Sequence, residues 1–309
     1  MITLTGLHFL LTYQCTHRCE HCFTWGSPRQ QGVMSLHDLR EFLCQAKETG
    51  SIQRVAFEGG EPFLYYPLLL AGVRAAAELG FEVSIVTNSF WATSEEEAVE
   101  WLRPFAGALK KLSISSDLLH GDEILSRQLG HARAAAAALG IDTGLLSTAH
   151  PLIPTPETDR CQLPGGQGGV MYRGRAALKL APRVPGTPWT QFTACTGENL
   201  RVPSRVHLDP FGNLHICQGI VIGNLRRRPL AVICADFDPD AHPIVGPLLA
   251  GGPVALVQHY GLDHEDCYAD ACHLCDAVRH TLRARFPEAL GPEQMYGTGE
   301  REQATVQAM

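Results

Sequence analysis

Apolar and polar positions follow two rhythms along the first half of this 309-residue chain. Residues 7–13 (Leu-His-Phe-Leu-Leu-Thr-Tyr) form an apolar, strand-compatible run. Leu36, Leu39, Leu43 and Ala46 then recur at helical spacing, behind Ser35 as a capping residue and ahead of Gly50 as a stop. Residues 52–57 read as a short buried strand, 67–79 as a helix closed by Gly80, and 81–87 as a strand. Ser94 caps a helix whose first turn holds Glu95, Glu96 and Glu97, where the helix dipole favours negative charge. Residues 112–115 predict a strand, 122–139 a helix stopped at Gly140, and 141–147 a strand. Strands alternating with helices of this length predict parallel βαβ units, five or six of them before about residue 185.

The rhythm breaks at 150–190. His150 to Pro156, Pro164 to Gly169 and Pro182 to Pro188 are rich in turn formers. It does not resume after Cys195. Asp209-Pro-Phe-Gly-Asn-Leu214 predicts a hairpin turn between His207-Leu208 and His215-Ile216. The expected organisation is a core domain over 1–189, a smaller cysteine-rich module over 190–280, and a helix with a polar tail over 281–309.

Composition narrows the class. Hydrophobic content of 45% and charged content of 18% are those of a globular protein. The net charge of −7 gives no electrostatic footprint for nucleic acid, and Arg226 to Arg228 read as a solvated turn. No apolar run reaches membrane-span length, and the N-terminus lacks the features of a signal peptide. The expectation is a cytoplasmic, reducing setting with neither membrane nor nucleic-acid partners. Eleven cysteines in such a setting point to metal ligation or redox chemistry rather than disulfides.

Three of them stand as Cys15-Thr-His-Arg-Cys19-Glu-His-Cys22, followed at once by Phe23. Three thiolates can hold three corners of a [4Fe–4S] cube and leave one iron open. Zinc, with His17 or His21 as a fourth ligand, is the competing reading. Glu58-Gly59-Gly60-Glu61-Pro62 falls where the second strand ends, at the ligand-binding end of a parallel sheet. Its glycine pair permits close backbone approach to a ligand, and its carbonyls and carboxylate can accept hydrogen bonds from an ammonium group. In Lys111 to Asp117 the polar residues Ser113, Ser115 and Asp117 share one side. Ser115 and Asp117 are candidates for ribose hydroxyls, as is Asn88 at the end of the preceding strand.

A second constellation lies C-terminal. Cys195 is followed after 21 residues by Cys217, itself in a G-x4-C arrangement with Gly212, and then by the pair Cys272-His-Leu-Cys275. Four thiolates can close all four corners of a cube, or hold structural zinc. Cys267, near the pair, is an alternative ligand to Cys195. Cys44, Cys161 and Cys234 read as buried, inert thiols.

The C-x3-C-x2-C run after a first strand, with Gly-Gly-Glu-Pro after a second, resembles the radical S-adenosylmethionine (SAM) superfamily over residues 5–150. The resemblance implies a partial (β/α)6, TIM-like barrel. It implies a [4Fe–4S] cluster on Cys15, Cys19 and Cys22, with SAM on the fourth iron and cleaved to a 5′-deoxyadenosyl radical that abstracts hydrogen from a substrate. SAM-binding positions carried over are Phe23, Gly59, Gly60, Glu61 and Pro62. Residues 195–275 resemble the twitch domain, the one-cluster relative of the SPASM domain. That implies an auxiliary [4Fe–4S] cluster on Cys195, Cys217, Cys272 and Cys275, serving electron transfer. Met171 to Ala176 is similar to the Gly-Arg-Ala element that precedes such domains, and Arg173 or Arg175 is placed to grip a carboxylate of SAM or substrate. The implied partners are a reducing donor such as flavodoxin or ferredoxin and a peptide or small-molecule substrate. The chain starts close to its first strand, so an N-terminal peptide-recognition domain is not expected, which counts against a ribosomal peptide. A zinc- or cluster-bearing scaffold on the same fold is the non-catalytic alternative.

Overall fold

The computed structural model describes residues 1–121, 126–153 and 169–298. The expected alternation is present. The chain runs β1 (Gly6–Leu10), α1 (Leu36–Glu48), β2 (Arg54–Glu58), α2 (Tyr66–Glu78), β3 (Glu82–Thr87), α3 (Glu95–Leu102), β4 (Lys111–Ser115), α4 (Arg127–Ala138) and β5 (Asp142–Leu146). Ser35 caps α1 through the Asp38 amide, and Ser94 caps α3 through the Glu97 amide. The helix expected from residue 122 starts at Arg127, because Ser126 has extended backbone and accepts from the Leu129 amide as its cap. Residues 122–125 lie outside the described chain.

The second half continues with α5 (Arg175–Lys179), β6 (Thr187–Pro188), β7 (Arg205–Leu208), β8 (Asn213–Cys217), β9 (Ile220–Asn224), α6 (Leu230–Asp236), α7 (Val245–Tyr260), β10 (Cys267–Tyr268) and α8 (Ala271–Leu282). The hairpin predicted at 209–214 joins β7 to β8. The helix expected after 281 is instead the end of α8, which grows out of the Cys272–Cys275 pair. Between 283 and 297 the chain makes turns and one short 3-10 segment, Glu293–Tyr296, and residues 299–309, on which the expected tail falls, lie outside the described chain.

One eight-stranded sheet carries the fold, in the order β5-β4-β3-β2-β1-β7-β8-β9. Strands β1 to β5 are parallel, and β7 pairs parallel to β1 with His8 opposite His207. Five parallel strands thus come from the first half among the described residues. The sixth is lent by the segment after residue 190 and docks on the outer edge of β1. Strands β8 and β9 extend the sheet antiparallel.

Alternation assigns the two faces. Leu7, Phe9, Val55, Phe57, Val83, Ile85, Leu112, Ile114, Val206 and Leu208 are wholly buried, with α1 to α4 contributing Leu39, Leu43, Leu69, Val73, Ala98, Leu102, Ala132 and Ala136 to the same core. The opposite side presents His8, Glu58, Ser84, Ser113, Ser115 and His207, all half-buried. A parallel barrel with a packed core would fill that side with branched apolar residues. Here it is a polar lumen, and the cysteine loop leaves β1 at its C-terminal mouth. Cys234 is buried as expected, with its thiol pushed up to about 11 by burial. Cys44 is exposed, because it lies on the solvent side of α1 beside the buried Leu43. Cys161 falls outside the described residues.

Candidate metal centres

The loop after β1 carries Cys15, Cys19 and Cys22. Cys15 is buried and the other two are half-buried. Main-chain N–H groups are aimed at the sulfurs: Gly26 donates to Cys22 Sγ at 3.2 Å and His17 to Cys15 Sγ at 3.4 Å. The Asn88 side-chain amide donates to Thr16 Oγ1 at 3.0 Å and lies 3.6 Å from Cys15 Sγ. Burial pushes the Cys15 thiol up to about 12, so a ligand that stabilises thiolate must displace a tightly held proton. Two buried imidazole nitrogens in the loop, Nδ1 of His17 and of His21, have no hydrogen-bond partner among the described residues.

Gly59 to Pro62 presses against the residues that lead into this loop. The Gly60 amide donates to Thr12 O at 2.6 Å and the Glu61 amide to Gln14 O at 2.9 Å. A Cβ on Gly60 would stand 2.0 Å from Gln14 O. The glycine pair therefore serves a close approach of the chain to itself, between β2 and the entry to Cys15. The Glu61 carboxylate is wholly buried. It accepts from the Phe63 amide at 3.1 Å, Thr87 Oγ1 at 2.8 Å and the Asn88 amide at 2.7 Å, which fastens the loop to the end of β3. Burial raises its carboxyl to about 7, against the pull of those three donors.

The second cysteine set converges. Cys195, Cys217, Cys272 and Cys275 line one small cavity, together with Arg173 and Arg279. Cys217 arrives on β8, the pair on the first turn of α8, and Cys195 from the irregular segment before β7. Cys267 is exposed on β10 and does not line the cavity. Burial pushes the Cys275 thiol up to about 12. Arg173 Nη1 donates to Cys217 Sγ at 3.2 Å, and Arg279 holds the Cys275 and Gln218 carbonyls.

The spacing of the thiols bears on what they suit. A zinc ion with bonds of about 2.3 Å draws its sulfurs to within about 3.8 Å of one another. Among the described residues, the groups of three or more potential ligands with all donor atoms within 4.8 Å are His8–Glu58–His207 and His21–Asp117–His120. Neither cysteine set is among these groups.

Residues 9–135 match the family model for the radical SAM superfamily. These residues are a radical SAM domain. The chain is 26% identical over 120 residues to the putative peptide biosynthesis protein YydG of Bacillus subtilis (strain 168), covering 38% of each chain. It is 27% identical over 139 residues to an S-adenosylmethionine-dependent nucleotide dehydratase of Pseudoalteromonas ulvae, covering 40% of this chain and 43% of that one. The chain thus matches about four-tenths of the length of these relatives. Among solved structures, BtrN in complex with AdoMet and 2-DOIA superposes with a TM-score of 0.51 at 16% identity, over 76% of this chain and 84% of BtrN, a likeness of fold. No helix among the described residues is long and apolar enough to cross a membrane.

Within the radical SAM domain the anticipated residues separate. Phe23 packs between Arg173, whose guanidinium lies 5.4 Å from the ring centroid, and His207 at 6.0 Å. Ser115 ends β4 on the lumen side. Asp117 is buried and turned into its own loop: it accepts from the Leu119, His120 and Thr148 amides and bonds His120 Nδ1 at 2.9 Å. Its carboxylate closes the β4 loop against β5, so the hydroxyl-binding role expected of it finds both oxygens engaged. Arg175 lies beneath the cysteine loop, donating to the carbonyls of Cys19 at 2.7 Å and of Trp25 and Gly26 at 2.9 Å each. The carboxylate grip expected of Arg175 gives way to a grip on the loop itself. Sequence reasoning does not single out His8 or His207 as site residues. A polar residue inside an apolar strand, His8 or His207, is the available signal for the lumen pair.

Proposed function

We propose that this radical SAM enzyme binds a [4Fe–4S] cluster on Cys15, Cys19 and Cys22 and an auxiliary [4Fe–4S] cluster on Cys195, Cys217, Cys272 and Cys275. When bound, the first cluster and SAM supply an electron and a 5′-deoxyadenosyl radical for hydrogen abstraction. The auxiliary centre, with four thiols of its own, suits electron transfer more than substrate ligation. The observation that carries this reading is the convergence of four cysteines, spread over some 80 residues of sequence, on one cavity. The residues 190–280 then act as a twitch-like module whose β7 completes the core sheet.

The chain's own groups divide the work. Main-chain N–H groups of His17 and Gly26 steady thiolates at Cys15 and Cys22. The carbonyls of Gly59 and Gly60, which accept no main-chain hydrogen bond among the described residues, remain for the ammonium group of SAM. Glu61 holds that loop on β3. The polar lumen faced by Ser113, Ser115 and His207 receives the substrate. A peptide or a small molecule fits, in keeping with relatives whose names refer to peptide biosynthesis and to nucleotide dehydration. A reduced flavodoxin or ferredoxin is the proposed donor.

Anaerobic reconstitution followed by iron, sulfide and zinc analysis tests the reading, with 5′-deoxyadenosine release as the activity. About eight irons per chain support two clusters, whereas about four or fewer remove the auxiliary one. A Cys15, Cys19, Cys22 triple alanine variant should release no 5′-deoxyadenosine. Stoichiometric zinc without acid-labile sulfide would favour the scaffold.

A further inference from the structure

We propose that His8, Glu58 and His207 form a mononuclear site for a divalent first-row transition ion, open to the barrel lumen and separate from both cysteine sets. The three residues stand on the adjacent strands β1, β2 and β7. His8 is directly opposite His207, and Glu58 ends β2 beside Leu10. His8 Nδ1 lies 3.2 Å and His207 Nε2 3.0 Å from the same atom, Glu58 Oε1, and the three ligand atoms are all within 4.8 Å of one another. The imidazoles meet edge to face with centroids 5.2 Å apart. Two histidines and one carboxylate form a donor set that zinc and non-haem iron both accept.

Three features single this trio out. First, its backbone is fixed by the sheet ladder, so the donors are held by strands rather than by a loop. Second, the Glu58 carboxylate is not spent on main-chain groups: among the described residues its hydrogen-bond partners are the two imidazoles. The other close trio, His21–Asp117–His120, fails here, because both Asp117 oxygens already accept main-chain N–H groups. Third, the side chains of His8, Glu58 and His207 remain 26%, 14% and 12% exposed, which leaves one side of the site to the lumen. A closed structural site would bring a fourth protein ligand. Three donors and an open side instead suit an ion that also takes water or a Lewis-basic group of the substrate, a carboxylate, hydroxyl or carbonyl oxygen. Glu58 immediately precedes Gly59, so such an ion would lie next to the loop that receives SAM, a placement that rests on the function proposed above.

The test uses the cluster-loaded chain with its clusters oxidised, and Co2+ as the probe. Bound Co2+ is counted after desalting and observed by low-temperature electron paramagnetic resonance with nitrogen modulation. The expected result is about one Co2+ per chain carrying the modulation of imidazole ligands, a signature that adventitious thiol sites lack. His8→Ala and Glu58→Gln should each weaken retention at least tenfold while the iron content stays unchanged. His207→Asn, which keeps a polar side chain of moderate size in the sheet, serves if either variant unfolds. No retained Co2+, retention equal in the variants, or a signal without nitrogen modulation overturns the proposal. Cobalt with imidazole nitrogen is read independently of iron stoichiometry, so failure of the two-cluster reading and failure of this one are distinguishable.

Discussion

Arg173 and Arg175 stand two residues apart and turn their guanidinium groups to opposite cysteine sets. Arg175 holds three carbonyls of the N-terminal cysteine loop, and Arg173 donates to Cys217 Sγ in the C-terminal cavity while covering the ring of Phe23. Gly174 between them has φ +62°, and a Cβ there would meet Phe23 Cα at 2.7 Å. One tripeptide therefore joins the two centres. Replacing Arg173 with Gln removes a cation and a charge-assisted hydrogen bond beside the auxiliary thiols. The cluster proposed on those thiols should become harder to reduce, by on the order of 60 mV, the tenfold change of a one-electron couple. Arg175→Lys should instead lower occupancy of the N-terminal cluster. Potentiometric titration separates them, and an unshifted auxiliary potential in Arg173→Gln would remove the link.

The two cradled glycines make a stability prediction. Gly60→Ala forces a Cβ onto a main-chain oxygen, and Gly174→Ala adds a strained backbone region to a main-chain clash. Neither neighbour is the end of a flexible side chain, so the backbone must move. Each should cost about 3 kcal/mol or more and loosen the cysteine loop, visible as a lower denaturation midpoint and reduced iron loading. Gly107→Ala, with positive φ but open space around it, is the control for conformational strain alone and should cost only about 1 kcal/mol.

Much of this arrangement is legible in the order of residues. The alternation of strands and helices, the capping serines 35 and 94 and the hairpin at 209–214 all follow from local chemistry, and the structure places them as read. Local chemistry could not show that β7 pairs with β1, because that choice is made by a sheet edge far away in sequence. Nor could it show that Arg175 faces inward, since an arginine beside glycine looks the same whether it meets solvent or carbonyls. Asp117 and Ser115 alternate correctly, but a buried loop amide claims a carboxylate before any ligand does. The helix expected over 122–139 is described from Arg127, with Ser126 as its cap; residues 122–125 lie outside the described chain.

Cavity membership sets Cys195 against Cys267. Cys195 lines the C-terminal cavity and Cys267 is exposed on β10. Cys195→Ser should reduce the reconstituted iron by up to about four per chain, and Cys267→Ser should leave it unchanged. If Cys267→Ser costs the cluster and Cys195→Ser does not, the ligand set is the other one.

Glu61 predicts a pH dependence with a definite sign. Its carboxyl is raised from the ordinary 4.5 to about 7, by burial above all. The folded chain therefore holds this proton more tightly than the unfolded one. Its stabilising effect is complete below pH 4.5 and is lost as pH rises through 7. The loss should be on the order of 3 kcal/mol, since a tenfold difference in proton affinity between the two states is worth about 1.4 kcal/mol. The amide of Glu61→Gln does not titrate. The stability difference between wild type and this variant, taken from denaturant unfolding, should move steadily against the wild type between pH 4.5 and 7 and then level off. Other titrating groups are common to both chains and cancel. The ammonium group of SAM should reverse the trend by favouring the ionised carboxylate, so SAM should protect the wild type more at pH 7.5 than at pH 5.5, and Glu61→Gln about equally at both. Parallel stability curves for the two chains would mean that Glu61 stays ionised in the fold, its three donors outweighing its burial.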